Sequence, residues 1–370
     1  MNILIYSPGN ARAADQQAQA ELLLSLGHKV FLLTWAPEGI LHQNFIKLGA
    51  EAYSSASAKG RSIFFFIKQS KFLVNFCKQH HIDVIISILQ SNAVAAGMAK
   101  YLCKARFIYM RHNADYVSLR SSKKDKFINW LANTLSPGII AISNNVKAEL
   151  LKEGVNEKKI IRINLCYNFD HYEAERKYNT ETVRQQFNTE LLIICVARLD
   201  PLKQHIKAFE VVEQLVQQNI SCKLLCIGDG EYRNVLSQWI KHHKLEDHII
   251  LHGFVSNVFD YLLAADIILL LSVSEASNNA VKEMAMCNKT AIVCRNTGDF
   301  EEYIQDGVNG FLVSKTSPQK ECIAILSDLY KNRIKLNQLG KALYSTVKDR
   351  FGMTAVKEEY IALLAGNKNI

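Results

Sequence analysis

Two cations and two carboxylates stand out by their spacing in the second half of this 370-residue chain. Arg198 and Lys203 fall where an apolar run ending at Ala197 gives way to a helical pattern. Asp200 reads as the N-cap and Pro201 as the first helical residue, which puts Lys203 in the opening turn. A lysine there opposes the helix dipole, by roughly 0.3–1 kcal/mol if exposed. An anion docked on the helix start would reverse that sign, and Arg198 at the strand end could grip the same anion. A solvated lysine pairing with Asp200 or Glu231 is an equally open reading.

The carboxylates lie in Glu275-Ala-Ser-Asn-Asn-Ala-Val-Lys-Glu283. Glu275 follows an apolar strand pattern, and Glu283 sits inside a helical pattern that begins near Asn279. Free amides at Ser277, Asn278 and Asn279 could donate to sugar hydroxyls or to a phosphate. Carboxylates suit vicinal diols because each oxygen can accept a hydroxyl proton. Taken alone, two acids at this spacing are more often a capping acid and a surface acid. Taken with Arg198 and Lys203, they suit a sugar attached to a diphosphate.

These groups need strands that end together. Ile3–Ser7, Lys29–Thr34, Val84–Ile88, Phe107–Met110 and Ile139–Ile142 read as strands in the first half. Helical patterns at Gln16–Leu26, Ile63–Lys78 and Asp125–Thr134 separate them. The rhythm restarts with strands Leu191–Ala197, Lys223–Ile227, His248–His252, Ile267–Leu271, Thr290–Cys294 and Gly310–Val313. Helices Ile206–Gln218, Glu231–Lys244, Asn279–Met286 and Pro318–Tyr330 connect these, and a last one covers Thr354–Leu364. Near-continuous Val/Ile/Leu strands alternating with helices predict parallel sheets covered on both faces. The chain therefore reads as α/β, two doubly wound parallel-sheet domains facing across a cleft, with ligands beyond the carboxyl ends of the strands. Residues 1–170 form the first domain and the polar 171–189 stretch the linker. Residues 190–345 form the second, and 346–370 a terminal helix packing back toward the first.

Composition narrows the partners. Nine cysteines occur singly with no C-x-x-C, which reads as reduced core thiols rather than a disulfide framework or zinc site. The net charge is +9; residues 1–180 hold 23 Lys+Arg against 13 Asp+Glu, so the excess sits in the first half. No interleaved basic–aromatic motif or zinc-finger spacing supports nucleic acid as the partner. An anionic membrane surface or a phosphorylated acceptor accounts for the one-sided charge more economically. Lys68, Lys71 and Lys78 make one helical stripe beside Phe64, Phe65, Phe66, Phe72 and Phe76, with Lys59 and Arg61 just before it. A solvated helix face is the plainer reading of that stripe. The start of the sequence does not read as a signal peptide, and the longest apolar run, Tyr261 to Val273, is too short to span a bilayer.

The order A-R-L-D-P-L-K, C-I-G-D-G-E-Y, L-H-G-F-V-S-N, S-E-A-S-N-N-A-V-K-E-M-A and T-G-D-F-E-E-Y-I-Q-D-G-V-N-G-F-L-V resembles the nucleotide-binding half of the retaining glycosyltransferase family 4, which has the GT-B fold. The resemblance runs through essentially the whole chain and is densest from Ile194 to Val313. It implies that Arg198 and Lys203 hold the donor diphosphate, and that Glu283 binds the ribose hydroxyls. Glu275, Ala276, Ser277, Asn278 and Asn279 would face the donor sugar. Gly228 and Gly230 would keep a loop low near the donor, and Phe254 and Val255 would lie beside the base. His112, in Tyr-Met-Arg-His-Asn, matches a family histidine that reaches the donor sugar. Ser143 and Asn168 match as cleft-lining or structural residues.

The chain also departs from the family. The glycine pair of the first loop becomes Asn10-Ala11 after Gly9, which leaves diphosphate and acceptor contacts there open. Ala276 replaces a glycine, and Asp299 replaces another, where its carboxylate could enter the donor-sugar pocket. No metal motif is evident, and the resemblance implies none is needed. The reaction implied is transfer from a UDP- or GDP-linked sugar to a glycan or lipid-linked acceptor, in bacterial surface polysaccharide or lipopolysaccharide assembly. Its setting would be the cytoplasm or the inner face of the plasma membrane, with no cofactor. A nucleotide-sugar epimerase on the same plan, or a degenerate sugar-nucleotide-binding subunit, remains open as an alternative.

Overall fold

The computed structural model describes residues 1–56, 60, 62–114, 122–170, 180–255 and 257–366. Lys59, Arg61 and the polar stretch 171–179 lie outside them. The chain divides into two compact units, Met1–Tyr167 with Phe351–Ile370, and Asn168–Arg350.

The first unit holds seven strands: β1 Asn2–Ser7, β2 Lys29–Thr34, β3 Glu51–Ser54, β4 Val84–Ile88, β5 Arg106–Arg111, β6 Ile139–Ala141 and β7 Ile160–Arg162. They lie parallel in the order β3-β2-β1-β4-β5-β6-β7. β1 and β4 are central and almost wholly apolar, as a strand buried on both faces must be. The edge strands β3 and β7 are only half-buried and carry Glu51 and Arg162. The terminal helix Met353–Ala365 packs on the helix Ala14–Ser25, where Gln19 donates to the buried Tyr360 hydroxyl at 2.8 Å.

The second unit holds β8 Leu191–Val196, β9 Cys222–Ile227, β10 Ile249–Gly253, β11 Ile267–Leu270, β12 Thr290–Cys294 and β13 Phe311–Val313. All pair in parallel, in the order β10-β9-β8-β11-β12-β13. Winding runs outward from β8 in one direction and from β11 in the other, so the chain reverses between these two neighbours. Helices leaving their carboxyl ends diverge to opposite faces and open a crevice there. Arg198 lies just past β8 and Glu275 just past β11. The topology thus draws together residues 77 positions apart in sequence.

A 19-residue helix, Arg333–Phe351, was not expected, because Gly340 interrupts its pattern. That glycine is required by packing. A Cβ there would sit 2.1 Å from the Asn288 carbonyl oxygen, in the turn that feeds β12. Gly340→Ala should therefore cost about 1–3 kcal/mol through overpacking, read as a lower urea midpoint with unchanged slope.

Candidate active site

The crevice of the second unit is built from four backbone segments. Past β8 the chain runs through Ala197–Leu199, and the Gly228-Asp229-Gly230 loop past β9 lies directly against it. A Cβ at Gly228, whose φ is +134°, would stand 2.1 Å from the Ala197 carbonyl oxygen. One at Gly230 would stand 2.3 Å from the Leu199 carbonyl oxygen. The Leu199 amide donates to the Asp229 carbonyl at 3.1 Å, and the Tyr232 amide to the Leu199 carbonyl at 3.2 Å. The two glycines therefore fix the backbone that carries Arg198. Its side chain is 55% exposed, with Nη2 3.3 Å from Asp200 Oδ2.

Asp200 is an N-cap, but of a different element from the one its sequence suggests. Its Oδ1 accepts from the Leu202 amide at 2.9 Å and caps a 3₁₀ turn, Pro201–Lys203. Gln204 then adopts a left-handed conformation, φ 50°, before the α-helix His205–Gln217 begins. Lys203 thus closes a 3₁₀ turn rather than opening an α-helix, and the helix-dipole argument does not apply to it. The turn is anchored across the crevice by the Val273 amide, which donates to the Leu202 carbonyl at 2.9 Å.

The kink aims Lys203 at the loop past β11. Its Nζ donates to Glu275 Oε1 at 2.5 Å, with side chains only 19% and 10% exposed. Two residues nominated from separate motifs are therefore in contact, and the expected partners Asp200 and Glu231 are not the ones found in this pair. Past Glu275, Ala276 and Ser277 are half-buried. The Asn278 side chain caps the helix Asn279–Met286 by accepting from the Val281 amide at 3.0 Å. Glu283 is half-buried on that helix. Phe254, 75% exposed, and the half-buried Val255 follow β10.

Two expectations need correction. The Asn278 amide is not free for a ligand, since it faces Asp299 Oδ1 at 3.4 Å. Nor is the Asp299 carboxylate an open pocket group. It is fully buried and accepts from Lys282 Nζ at 2.6 Å and from the Ser277 hydroxyl at 2.6 Å. Lys282, also fully buried, escaped the sequence reading. Its signal was a lysine in an otherwise apolar helix face, opposite the one position where an acid replaces a glycine.

His112, Gly9 and Asn10 belong to the first unit. Gly9 has open space where a side chain would go, while Asn10 donates from Nδ2 to the Pro37 carbonyl at 2.9 Å. His112 follows β5 and its Nδ1 stands 3.8 Å from Oδ2 of Asp15, in the first turn of the helix Ala14–Ser25. Its Nε2 is buried with no hydrogen-bond partner. Burial lowers the imidazole pKa while Asp15 opposes it, so the ring is neutral at pH 7. Ser143 is fully buried and caps the helix Asn144–Lys152, accepting from the Val146 amide at 3.1 Å, a structural role. Asn168 is half-buried at the start of the second unit.

The residue before His112 has a clamp absent from the sequence reading. Arg111, fully buried, grips Glu153 with Nη1 and Nη2 at 2.5 and 2.7 Å. Asn129 and Asn133 donate to Glu153 Oε2 at 2.9 and 2.8 Å, and Arg111 Nε holds the Asn113 carbonyl at 2.8 Å. The strand end bearing His112 is thereby tied to two helices. All nine cysteines are free, eight of them buried. No group of side chains suited to a metal ion occurs among the described residues.

Comparison with known proteins gives the same assignment from both halves. A glycosyltransferase family 4 model matches residues 17–170, and a model for glycosyl transferases group 1 matches residues 179–346. This chain belongs to glycosyltransferase family 4. The enzyme is similar to N-acetyl-alpha-D-glucosaminyl L-malate synthase of Bacillus anthracis, 22% identical over 80% of this chain and 79% of that one. It is also similar to a Campylobacter jejuni N-acetylgalactosaminyltransferase acting on a diphospho-undecaprenol-linked sugar, 23% identical over 85% of each chain. Among solved structures, Anabaena HepE in complex with UDP and glucose superposes with a TM-score of 0.84, at 16% identity over 98% of this chain and 99% of that one. Its two parallel sheets are those of the GT-B glycosyltransferases.

The Arg111–Glu153 clamp yields a pH prediction for the enzyme. Burial raises the Glu153 pKa, but Arg111 with Asn129 and Asn133 outweighs it and holds the carboxyl below its usual value. A depressed carboxylate contributes stability that is present above its unfolded pKa and lost as pH falls through the folded one. Glu153→Gln should cost about 3 kcal/mol at pH 7. The gap to wild type should narrow once pH falls below the ordinary carboxylate range, and close only as it passes the depressed native value, where the native carboxyl also protonates. Thermal melts of both proteins between pH 3 and 7 check this.

Proposed function

We propose that this glycosyltransferase is a retaining, metal-independent enzyme that moves a sugar from a UDP- or GDP-linked donor to a glycan or lipid-linked acceptor in bacterial surface-glycan assembly. The observation that carries the reading is the Lys203–Glu275 pair, with Arg198 at the end of β8, the strand that also leads to Lys203. Two cations lie where a diphosphate would sit beyond the strands, and a carboxylate lies beside them for sugar hydroxyls. HepE was crystallised with UDP and with UDP-glucose, and the Campylobacter relative acts on a diphospho-undecaprenol-linked sugar, which supports the donor and acceptor classes.

In this mechanism Arg198 and Lys203 stabilise the negative charge that develops on the departing diphosphate. Glu275 orients the sugar, and Glu283 holds the ribose diol. The acceptor hydroxyl attacks from the face the diphosphate leaves, and a leaving-group oxygen takes its proton. The family resemblance assigns His112 to the donor sugar, and within its own unit its imidazole is neutral at pH 7 with Nε2 unpartnered. Phe254 offers an exposed ring for the base.

Arg198→Ala should lower turnover by about 10²–10³ with the fold retained, since the side chain is exposed. Lys203→Ala should lower turnover as far and also lower the melting temperature, because it takes the lysine partner from the mostly buried Glu275 carboxylate. Release of nucleoside diphosphate, assayed across donors with acceptor extract, reads this directly. Wild-type turnover in either folded variant would reject the diphosphate site. Donor consumed without acceptor would instead indicate an epimerase, and binding without release a degenerate subunit.

We also place the enzyme at an anionic membrane surface. No described helix is long and apolar enough to cross a membrane. On the helix Ile63–Gln79, however, Lys68, Lys71 and Lys78 share an exposed face with Phe64 and Phe72, which are 80% and 42% exposed. Phe66 and Phe76 face inward. The helix Lys123–Leu135 exposes a stacked Phe127–Trp130 pair beside Lys123, Lys124 and Lys126. Both helices pack against the helix Gln90–Ala99. Exposed aromatics among lysines fit an interface of lipid tails and anionic headgroups. Changing Lys68, Lys71 and Lys78 to glutamine should lose up to about 3 kcal/mol of attraction, and high salt should mimic the variant. Equal flotation of wild type and variant with anionic vesicles would reject the surface.

A further inference from the structure

The donor reading leaves Lys282 and Asp299 without a task, although both are fully buried and joined at 2.6 Å. A buried ion pair gains little over apolar side chains of the same volume, because desolvation offsets the attraction. Its presence calls for a reason in what else it touches, and here the partners are the donor loop itself. Lys282 Nζ donates to the Ser277 hydroxyl at 2.9 Å and to the Asn278 carbonyl at 3.2 Å. Asp299 accepts from that same hydroxyl at 2.6 Å and faces the Asn278 amide at 3.4 Å. Both backbone polar groups of Asn278 and the side chain of Ser277 are thus held by one pair of charges.

The pair also reaches Glu275. Gly298, with φ +60°, packs so closely that a Cβ on it would stand 2.7 Å from the Glu275 Cβ. Asp299 fixes the residue that backs Glu275 on one side, while Lys203 grips the carboxylate on the other. The Tyr303 ring lies 4.8 Å from Lys282 Nζ and closes the ammonium off from below. Two apolar residues could fill this space, but they could hold neither the hydroxyl nor the amide.

We propose that Lys282 and Asp299 are positioning residues that lock the Glu275–Asn279 loop in its donor-ready shape before ligand arrives. This rests on the reading of that loop as the donor-sugar site. The order is prepaid in the folded protein, so donor binding does not bear the cost of arranging the loop. The pair acts on the sugar end of the donor, and Arg198 and Lys203 retain the diphosphate.

The test compares Asp299→Asn, which strands the buried ammonium, with Lys282→Met/Asp299→Asn, which keeps the shape and removes both charges. Hydrogen exchange in ligand-free protein should speed up by about tenfold or more from Ser277 to Val281 in both variants. Transfer kcat/KM should fall about 10- to 100-fold in both, while affinity for free UDP or GDP, whichever wild type binds, stays within about threefold. The double variant should recover the melting temperature lost by Asp299→Asn without recovering transfer. Should Asp299→Asn fail to fold, the double variant alone carries the comparison. Full transfer in the double variant, or exchange unchanged from wild type, would make the pair a core contact and overturn the proposal. Wild type that binds no nucleotide sugar would sink the donor reading itself. Wild type that binds one while both variants transfer it normally would sink only the lock.

Discussion

The contact between Lys203 and Glu275 is the constraint on which the second unit turns. It joins residues carried by β8 and β11, the two strands between which the winding reverses. Elsewhere along the sheet, successive helices cover one face and leave no opening at the strand ends. Only at the reversal do the connections part, and an exposed crevice lined by two charged strand ends is the result. A lysine and a glutamate left facing each other there, each mostly buried, must pair or lose solvation without compensation. The 3₁₀ turn and the left-handed Gln204 give Lys203 the direction that a straight helix start would not.

The neighbouring glycines serve the same geometry. Gly228 and Gly230 allow one loop to lie flat on the backbone of another, and Gly298 lets a third press against Glu275. Each close approach moves a charged side chain toward the crevice by excluding a Cβ from its floor. Rigidity in this site therefore comes from backbone contact more than from side-chain packing. The Lys282–Asp299 pair extends that logic to the one loop without such a contact at Ser277 and Asn278.

Much of this was legible in the sequence, for a physical reason. Inner parallel strands are buried on both faces, so β1, β4, β8 and β12 read as almost wholly apolar runs. The edge strands β3 and β7 obey no such rule, being short and half in solvent, and their patterns carried no signal. Gly340 masked a long helix because a glycine needed for packing looks identical to a glycine that ends an element. At the candidate site, residue type and strand position singled out Arg198, Lys203 and Glu275. Which of them touch was not, since the kink at Gln204 depends on a turn that local propensity does not dictate.

Charge that turns inward is the hardest feature to read from residues alone. A carboxylate in place of a glycine at the crevice suggests a ligand contact, because acids are rarely buried without a partner. Asp299 has its partner one helix away, and Lys282 looks like a surface lysine until the face it occupies is known. The same holds for Arg111, whose buried guanidinium is held by the Glu153 carboxylate and the Asn113 carbonyl. In both units a buried cation sits one layer beneath a residue proposed to touch the donor. An isolated charge there would be costly, so each cation is retained only together with the backbone shape that satisfies it. The loops proposed to meet the donor are thus held by electrostatic contacts satisfied within the fold, while the Arg198 side chain beside them stays exposed to solvent.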